Sequence, residues 1–266
     1  MKNYFIYVCL FSLLFASCGD KENDLDWNND KDEDEIVIAS SKTHPGLGDS
    51  DDLPMGAALT LPEGIRMVKR LHHPFNPAMS NLFAHVNAFY VDVNFVNDRM
   101  PGTAPVIVEF PAGVIGVSMD HDKQNGVSIE KYLIAVPPTE RIGGGRDTTT
   151  VYVGMACINA NKSMPWYDNN EVEMHYPISR NNYEQFIVTS DPNLLKLLEV
   201  LKGHPKLKVT QHWDPVEANE YGYVVPEWLK IYHHIQDHIW AVTDGRGLTK
   251  KDVADLQRKL LPYKLN

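Results

Sequence analysis

The chain has 266 residues, of which 43% are hydrophobic, and its formal net charge is −10. This composition is ordinary for a globular protein, and the length allows one large domain or two small ones. Most of the charge lies in residues 20–35, where nine acidic residues accompany two lysines. The remainder is nearly neutral and offers no basic surface, which argues against nucleic acid as a partner.

Residues 1–17 predict a secretion signal, because one lysine precedes an apolar run from Tyr4 to Phe15 that is too short to span a bilayer. Small residues follow, and Phe15-Ala16-Ser17-Cys18 resembles the lipobox of bacterial lipoproteins. The resemblance implies cleavage before Cys18 and a lipid on that cysteine, which would attach the chain to a membrane. An ordinary signal peptide cut nearby is the alternative.

Residues 18–54 predict an acidic flexible tether, since the charged run from Asp20 to Glu35 cannot collapse into a core. An acidic stretch directly behind a lipidated cysteine resembles the export signals of surface lipoproteins in Bacteroidota. That resemblance implies a lipid-anchored envelope protein of the outer membrane that faces outward. A spacer that keeps the domain away from the membrane is the alternative.

Residues 55–160 show the alternation and turn residues typical of short β-strands, without a helical pattern between them. This pattern predicts an antiparallel β-sandwich. The predicted strands are Phe89 to Phe95, half-buried; Val106 to Phe110; Val114 to Met119; Val127 to Val136; and a strand from near Thr148 that ends at Cys157.

Residues 161–266 predict a mainly helical part, after a loop-like stretch from Asp168 to Ser190. One helix is capped by Asp191 and ends at Gly203, and a second runs from Pro226 at its first position to Gly245. A third follows a capping box formed by Thr249 and Asp252. The fold class is therefore α+β, with helices packed on the sandwich, and the two parts could form one unit.

Two side chains in these elements are candidates for a chemical role. Gln236 projects into the apolar sector of the second helix, where an amide must find partners or react. Cys157 lies on the apolar face at the end of its strand. Because Cys9 leaves with the signal and Cys18 would carry lipid, Cys157 has no disulfide partner, which is unusual in an exported protein. A small buried hydrophobe is the plainer interpretation of Cys157.

The segments around Cys157 and Gln236 resemble the paired motifs of bacterial thioester domains, which are surface modules of adhesins. The residues that carry the resemblance are A-Cys157-I-N and I-Gln236-D-H-I-Trp240-A-V-Thr243-Asp244. It implies an internal thioester between Cys157 and Gln236, supported by Trp240, that a protein amine could open. His233 and Asp237 are nearby groups able to move protons. Such a protein binds once, needs no cofactor and is not an enzyme.

Two other functions remain open. Aromatic residues in irregular segments could stack on the sugar rings of a glycan, namely Trp166, Tyr167, Trp213, Tyr221 and Tyr223. Alternatively, the chain is a structural envelope protein in which Cys157 and Gln236 are merely packed. Metal binding is not predicted, because His234 and His238, both placed on the polar face of the helix, lack a third ligand.

Overall fold

The fold was analysed in a computed structural model that describes residues 33–69, 78–85, 88–142, 145–164, 183–211 and 221–265. The predicted signal, Cys18 and most of the acidic run lie outside the described residues, as do Trp166, Tyr167 and Trp213. Within the described part, no helix combines the length and apolar character needed to cross a bilayer.

The described residues form a mixed α+β fold. The strands are β1 (Ile36–Ala39), β2 (Gly56–Ala58), β3 (Ile65–Met67), β4 (Leu82–Phe83), β5 (Phe89–Asn97), β6 (Val106–Phe110), β7 (Val114–Ser118), β8 (Gly126–Val127), β9 (Tyr132–Val136), β10 (Arg141–Ile142), β11 (Gly145–Arg146), β12 (Thr149–Cys157), β13 (Tyr183–Thr189) and β14 (Gly247–Thr249). The helices are α1 (Pro192–Leu201), α2 (Glu227–Thr243) and α3 (Lys250–Leu260).

An eight-stranded sheet is the centre of the fold, with the order β2-β13-β7-β8-β12-β5-β3 and β4 added beside β12. Neighbouring strands are antiparallel except β4 and β12, which are parallel. β13 comes from the second half of the chain and lies between β2 and β7 from the first half. A division at residue 160 therefore does not separate the sheet from the helical part.

A two-stranded sheet of β6 and β9 covers one face of the large sheet. Its residues alternate between buried and exposed, as expected when only one side is packed. The buried side chains of the two-stranded sheet are Val106, Val108, Phe110, Tyr132, Ile134 and Val136, and they share one core cluster with Phe89, Val91, Val93, Phe95, Val151, Val153, Met155 and Cys157 of the large sheet.

The helices cover the other face. Tyr152 and Ala156 of β12 alternate with the residues that face the two-stranded sheet, so they point to the opposite side. There they join a second cluster with buried side chains of the helices, which are Leu194, Leu197, Leu198, Leu201, Leu229, Ile235, Ile239, Val242, Leu256 and Leu260. β12 is buried on both faces because a layer lies on each side of it.

Several predicted elements are confirmed. β6 has the predicted bounds, and β12 ends at Cys157 as expected. The Asp191 carboxylate caps α1 by accepting from two backbone N–H groups, and Thr249 and Asp252 form the capping box of α3. α2 is one residue shorter at its start than predicted, because Pro226 is its N-cap rather than its first residue.

Other predictions were wrong in detail. β5 is buried along its whole length rather than half-buried, since both faces of the sheet are covered. The stretch predicted as one strand, 127–136, holds β8 and β9, which pair with different partners. The stretch 168–190, predicted as a loop, contains β13. Its alternation is interrupted because the register of the strand shifts between Tyr183 and Gln185.

The predicted end of the flexible tether was also wrong. It was placed up to residue 54, but β1 pairs with β14, and Ile38 and Leu47 are buried in the helix-side core. The apolar run of β1 is only four residues long, directly behind the acidic run, and its partner strand lies near the other end of the sequence. The folded part therefore includes residues from about 36 onward.

Candidate functional site

Cys157 stands at the end of β12, where the strand meets β8. It is a free cysteine and is only 1% exposed. Gly126 of β8 is its direct partner across the ladder. A Cβ at Gly126 would lie 2.4 Å from Cζ of Phe89 and 2.7 Å from Cβ of Met155, so only glycine fits beside the cysteine.

Gln236 of α2 lies directly against Cys157. Its Oε1 accepts a hydrogen bond from the Cys157 backbone N–H at 2.9 Å, and its Nε2 donates to the Cys157 carbonyl oxygen at 2.7 Å. Both bonds fall within normal lengths and both are buried. The Gln236 amide is therefore bonded to both backbone groups of the residue that carries the thiol.

The thiol is held in its neutral form. Burial raises the pKa of Cys157 strongly, and the negative charge of Asp244 raises it further. A thiolate is the stronger nucleophile, so this environment protects Cys157 from external oxidants and electrophiles. Attack on a nearby carbonyl would depend on proximity rather than on prior ionisation.

Asp244, which follows α2, is a neighbour of the site whose role sequence reasoning did not identify. Its carboxylate accepts from the Ala160 backbone N–H at 2.8 Å and from the Thr243 hydroxyl at 2.5 Å. Burial raises the pKa of Asp244 above its ordinary value. The sequence indicated Asp244 only as the last residue of the motif around Gln236, because the contact with Ala160 joins residues that are 84 positions apart.

Trp240 packs against the core cluster that contains Cys157. Its indole Nε1 is buried and has no hydrogen-bond partner among the described residues. A buried donor without a partner is uncommon and is a feature of reactive or ligand-binding positions. His233 and Asp237 are exposed on α2, so they are placed toward solvent rather than around the thiol.

The remaining candidates are not brought together into a second site. Tyr221 is fully exposed and Tyr223 partly exposed in the turn before α2. His238 is buried, not on the polar face as predicted, and its Nδ1 bonds the His234 carbonyl at 2.8 Å. Among the described residues, no three His, Cys, Asp or Glu side chains come together as metal ligands.

Comparison of the chain with protein-family models, with curated proteins and with solved structures gives no match.

Proposed function

We propose that this chain is a lipid-anchored envelope protein that attaches to its ligand covalently, through an internal thioester between Cys157 and Gln236. The observation that supports the proposal is the pair of buried hydrogen bonds between the Gln236 carboxamide and the backbone of Cys157. This contact joins a buried amide to the backbone of a residue with a free, buried thiol, which supports the proposal.

Bond formation would proceed by attack of the Cys157 sulfur on the amide carbon of Gln236. The Cys157 N–H already donates to Oε1, so it would stabilise the negative charge that develops on that oxygen. The C–N bond breaks, and the Gln236 nitrogen leaves as ammonia with the proton of the thiol. The product is a thioester, which is an acyl group far more reactive toward amines than the original amide.

Ligand capture would be the second step. A primary amine of a protein or matrix ligand attacks the thioester carbon, a new amide forms, and the sulfur leaves as the Cys157 thiol after taking a proton from the amine. Burial favours the neutral thiol, which disfavours the reverse attack by a thiolate. Each molecule would react once, so the protein would be a binder and not an enzyme.

Trp240 is proposed to support this step, whereas His233 and Asp237 face solvent and are given no part in it. Trp240 lies four residues after Gln236, so helical geometry brings its side chain next to the glutamine. The Trp240 indole N–H would donate to the ligand or to the oxyanion.

The proposed cellular context rests on the sequence. The signal at 1–17 and the lipid at Cys18 would anchor the protein in the outer membrane, and the acidic residues behind Cys18 would carry the domain to the cell surface. For the fold, we propose that the two-stranded sheet of β6 and β9 is the second layer of a β-sandwich, since its buried side chains share a core with β5 and β12.

Intact mass tests the thioester. The protein is purified with its N-terminal segment in place, and the Cys157→Ala variant is purified in parallel by the same procedure. The mass of the variant plus the difference between cysteine and alanine gives the mass expected for a wild type without the thioester. We expect the wild type to be lighter than this value by one ammonia, to lack a free thiol, and to take up methylamine. If the mass difference equals that of the substitution alone and Cys157 alkylates after unfolding, then covalent attachment is wrong and Gln236 is a structural amide.

Glycan binding is the second candidate function, and the full exposure of Tyr221 favours it. An aromatic ring in that position could stack on a sugar without a cavity. Binding to insoluble polysaccharide that is lost in Tyr221→Ala and kept in Cys157→Ala would support this function over covalent attachment.

A further inference from the structure

Residues 36–51 join the acidic run to the folded part and wrap across the site; we call them the N-terminal strap. The strap begins with β1, which pairs with β14 in antiparallel fashion. Ile38 and Leu47 anchor it in the helix-side core, where they are 4% and 1% exposed. The strap is therefore part of the folded structure on both sides of its turn.

The first half of the strap binds the end of α2, the helix that carries Gln236. The Ser41 N–H donates to the Val242 carbonyl oxygen at 2.7 Å, and the Ser40 hydroxyl donates to the Gly245 carbonyl oxygen at 2.6 Å. Ser41 also donates through its hydroxyl to Asp191 at 2.8 Å. These contacts fix the position of α2 relative to the strap.

The second half of the strap binds the loop that follows Cys157. Asn159, two residues after the cysteine, is fully buried, and its Nδ2 donates to the carbonyl oxygens of Gly46 at 3.2 Å and Gly48 at 2.9 Å. Its Oδ1 accepts from the Asn125 backbone N–H at 2.8 Å. One amide side chain thus connects the strap, the approach to β8 and the end of β12.

The strap has a backbone suited to this contact. Gly48 has a positive φ of 56°, and a Cβ there would lie 2.3 Å from the Lys42 carbonyl oxygen. Only glycine therefore allows the strap to turn tightly enough to present both carbonyls to Asn159. Two surface contacts also connect the loop after Cys157 to the strap. Asn161 donates to Asp49 at 2.9 Å, and Lys162 pairs with Asp51 at 2.5 Å.

We propose that Asn159 is the positioning residue of the Cys157–Gln236 site, and that it holds the cysteine against the glutamine by fastening the end of β12 to the N-terminal strap. The strap then binds both elements of the pair, α2 through Ser40 and Ser41 and β12 through Asn159. The effect of Asn159 on covalent bonding rests on the proposed thioester. Its effect on the alignment of Cys157 with Gln236 does not depend on that bond.

Two substitutions test this role in the full chain. Asn159→Asp keeps an oxygen that accepts from the Asn125 N–H, but it removes the N–H groups that donate to the strap. Its second carboxylate oxygen would face the carbonyl oxygens of Gly46 and Gly48, which repel it. Asn97→Ala is the control, because Asn97 is equally buried, donates to the Val136 carbonyl oxygen at 2.8 Å and accepts from the Arg99 N–H at 3.0 Å, and neither partner belongs to the strap. Both substitutions remove buried hydrogen bonds.

Two measurements are made on each protein, namely the fraction that has lost ammonia and the hydrogen exchange of the Cys157 amide, which donates to Gln236. We expect Asn159→Asp to lower the thioester fraction and to speed that exchange about tenfold, as the loss of a buried hydrogen bond implies. Asn97→Ala is expected to lower global stability while leaving both measurements near the wild-type values.

The outcomes separate this inference from the proposed function. If the wild type forms the thioester and Asn159→Asp forms it as fully as Asn97→Ala, the positioning role is overturned and covalent attachment stands. If the wild type forms no thioester, covalent attachment fails, and the exchange rate of the Cys157 amide alone decides the role of Asn159. Equal exchange in the two variants would then overturn it.

Discussion

Gly126 and Cys157 are direct partners in the ladder between β8 and β12, and the tip of Phe89 and the Cβ of Met155 occupy the space that a side chain at Gly126 would need. The cysteine therefore faces a strand position without a side chain. This close approach lets the apolar core close over the thiol, which keeps it buried and neutral.

The close contact at Gly126 gives the first prediction. Gly126→Ala places a methyl group 2.7 Å from Cβ of Met155, whose backbone is held in the ladder with β5. We expect a loss of about 1–3 kcal/mol in the free energy of unfolding, as overpacking of cores usually causes. Denaturant unfolding measures it, and a stability equal to the wild type would contradict the tight packing described here.

Gln236→Glu gives a prediction on pH. The introduced carboxyl can accept from the Cys157 N–H, but it bonds the Cys157 carbonyl only when protonated, so its folded-state pKa should exceed the unfolded value. The stability contributed by the protonated form is present below the unfolded pKa and is lost as pH rises through the folded one.

We therefore expect this variant to unfold more easily at neutral pH than at mildly acidic pH, relative to wild type. Gln236→Met is its control, because methionine fills similar space without an ionisable group. If the two variants show the same pH dependence, the amide of Gln236 does not donate to Cys157.

Asp244 gives a prediction on the thiol. Its negative charge raises the pKa of Cys157, so Asp244→Asn should lower that pKa. The asparagine can still accept from the Ala160 N–H, so the local structure is kept. The rate at which the thiol is alkylated at one fixed pH, which follows its thiolate fraction, is compared in a Gln236→Ala background, where no thioester can form. Asp237→Asn serves as a control with an exposed carboxylate, and an unchanged alkylation rate in Asp244→Asn would show that Asp244 lies too far away.

Asp191 gives a prediction on stability. Its carboxylate caps α1 through the N–H groups of Asn193 and Leu194 and also binds two strap residues, Ser41 and His44. Thr249 caps α3 with a hydroxyl that bonds only Asp252, and it meets the strap through its backbone, in the pairing with Ile36, which a side-chain substitution leaves in place. Loss of a cap alone costs about 0.5–2 kcal/mol, so we expect Asp191→Ala to lower the free energy of unfolding by more than Thr249→Ala does. Equal losses would mean that the strap contacts add little.

The sequence predicted elements whose signals are local. β6 and β12 were found by their alternation of apolar residues, α2 by its apolar stripe, and the caps of α1 and α3 by short motifs. The burial of Gln236 also followed from the stripe, since its angular position on the helix is set by sequence spacing. Its alignment with Cys157 was expected only from the resemblance to thioester domains.

The strap and its contacts could not be predicted in the same way. β1 and β14 are four and three residues long and lie more than 200 positions apart, so neither has a periodicity to detect. Asn159 resembles any loop asparagine until the carbonyls of Gly46 and Gly48 are placed beside it, 113 and 111 positions away. Side chains that act through distant backbone groups leave no pattern in a single sequence.

The route of the strap determines how the molecule would carry mechanical load. With a lipid at Cys18 and a ligand bonded at Gln236, tension would enter through β1, pass from Ser41 to Val242, and follow α2 to the bond. Most of the eight-stranded sheet lies outside this path. A pull on the anchored cell would therefore strain a few hydrogen bonds at the end of one helix, while the core that shelters the thiol stayed unloaded.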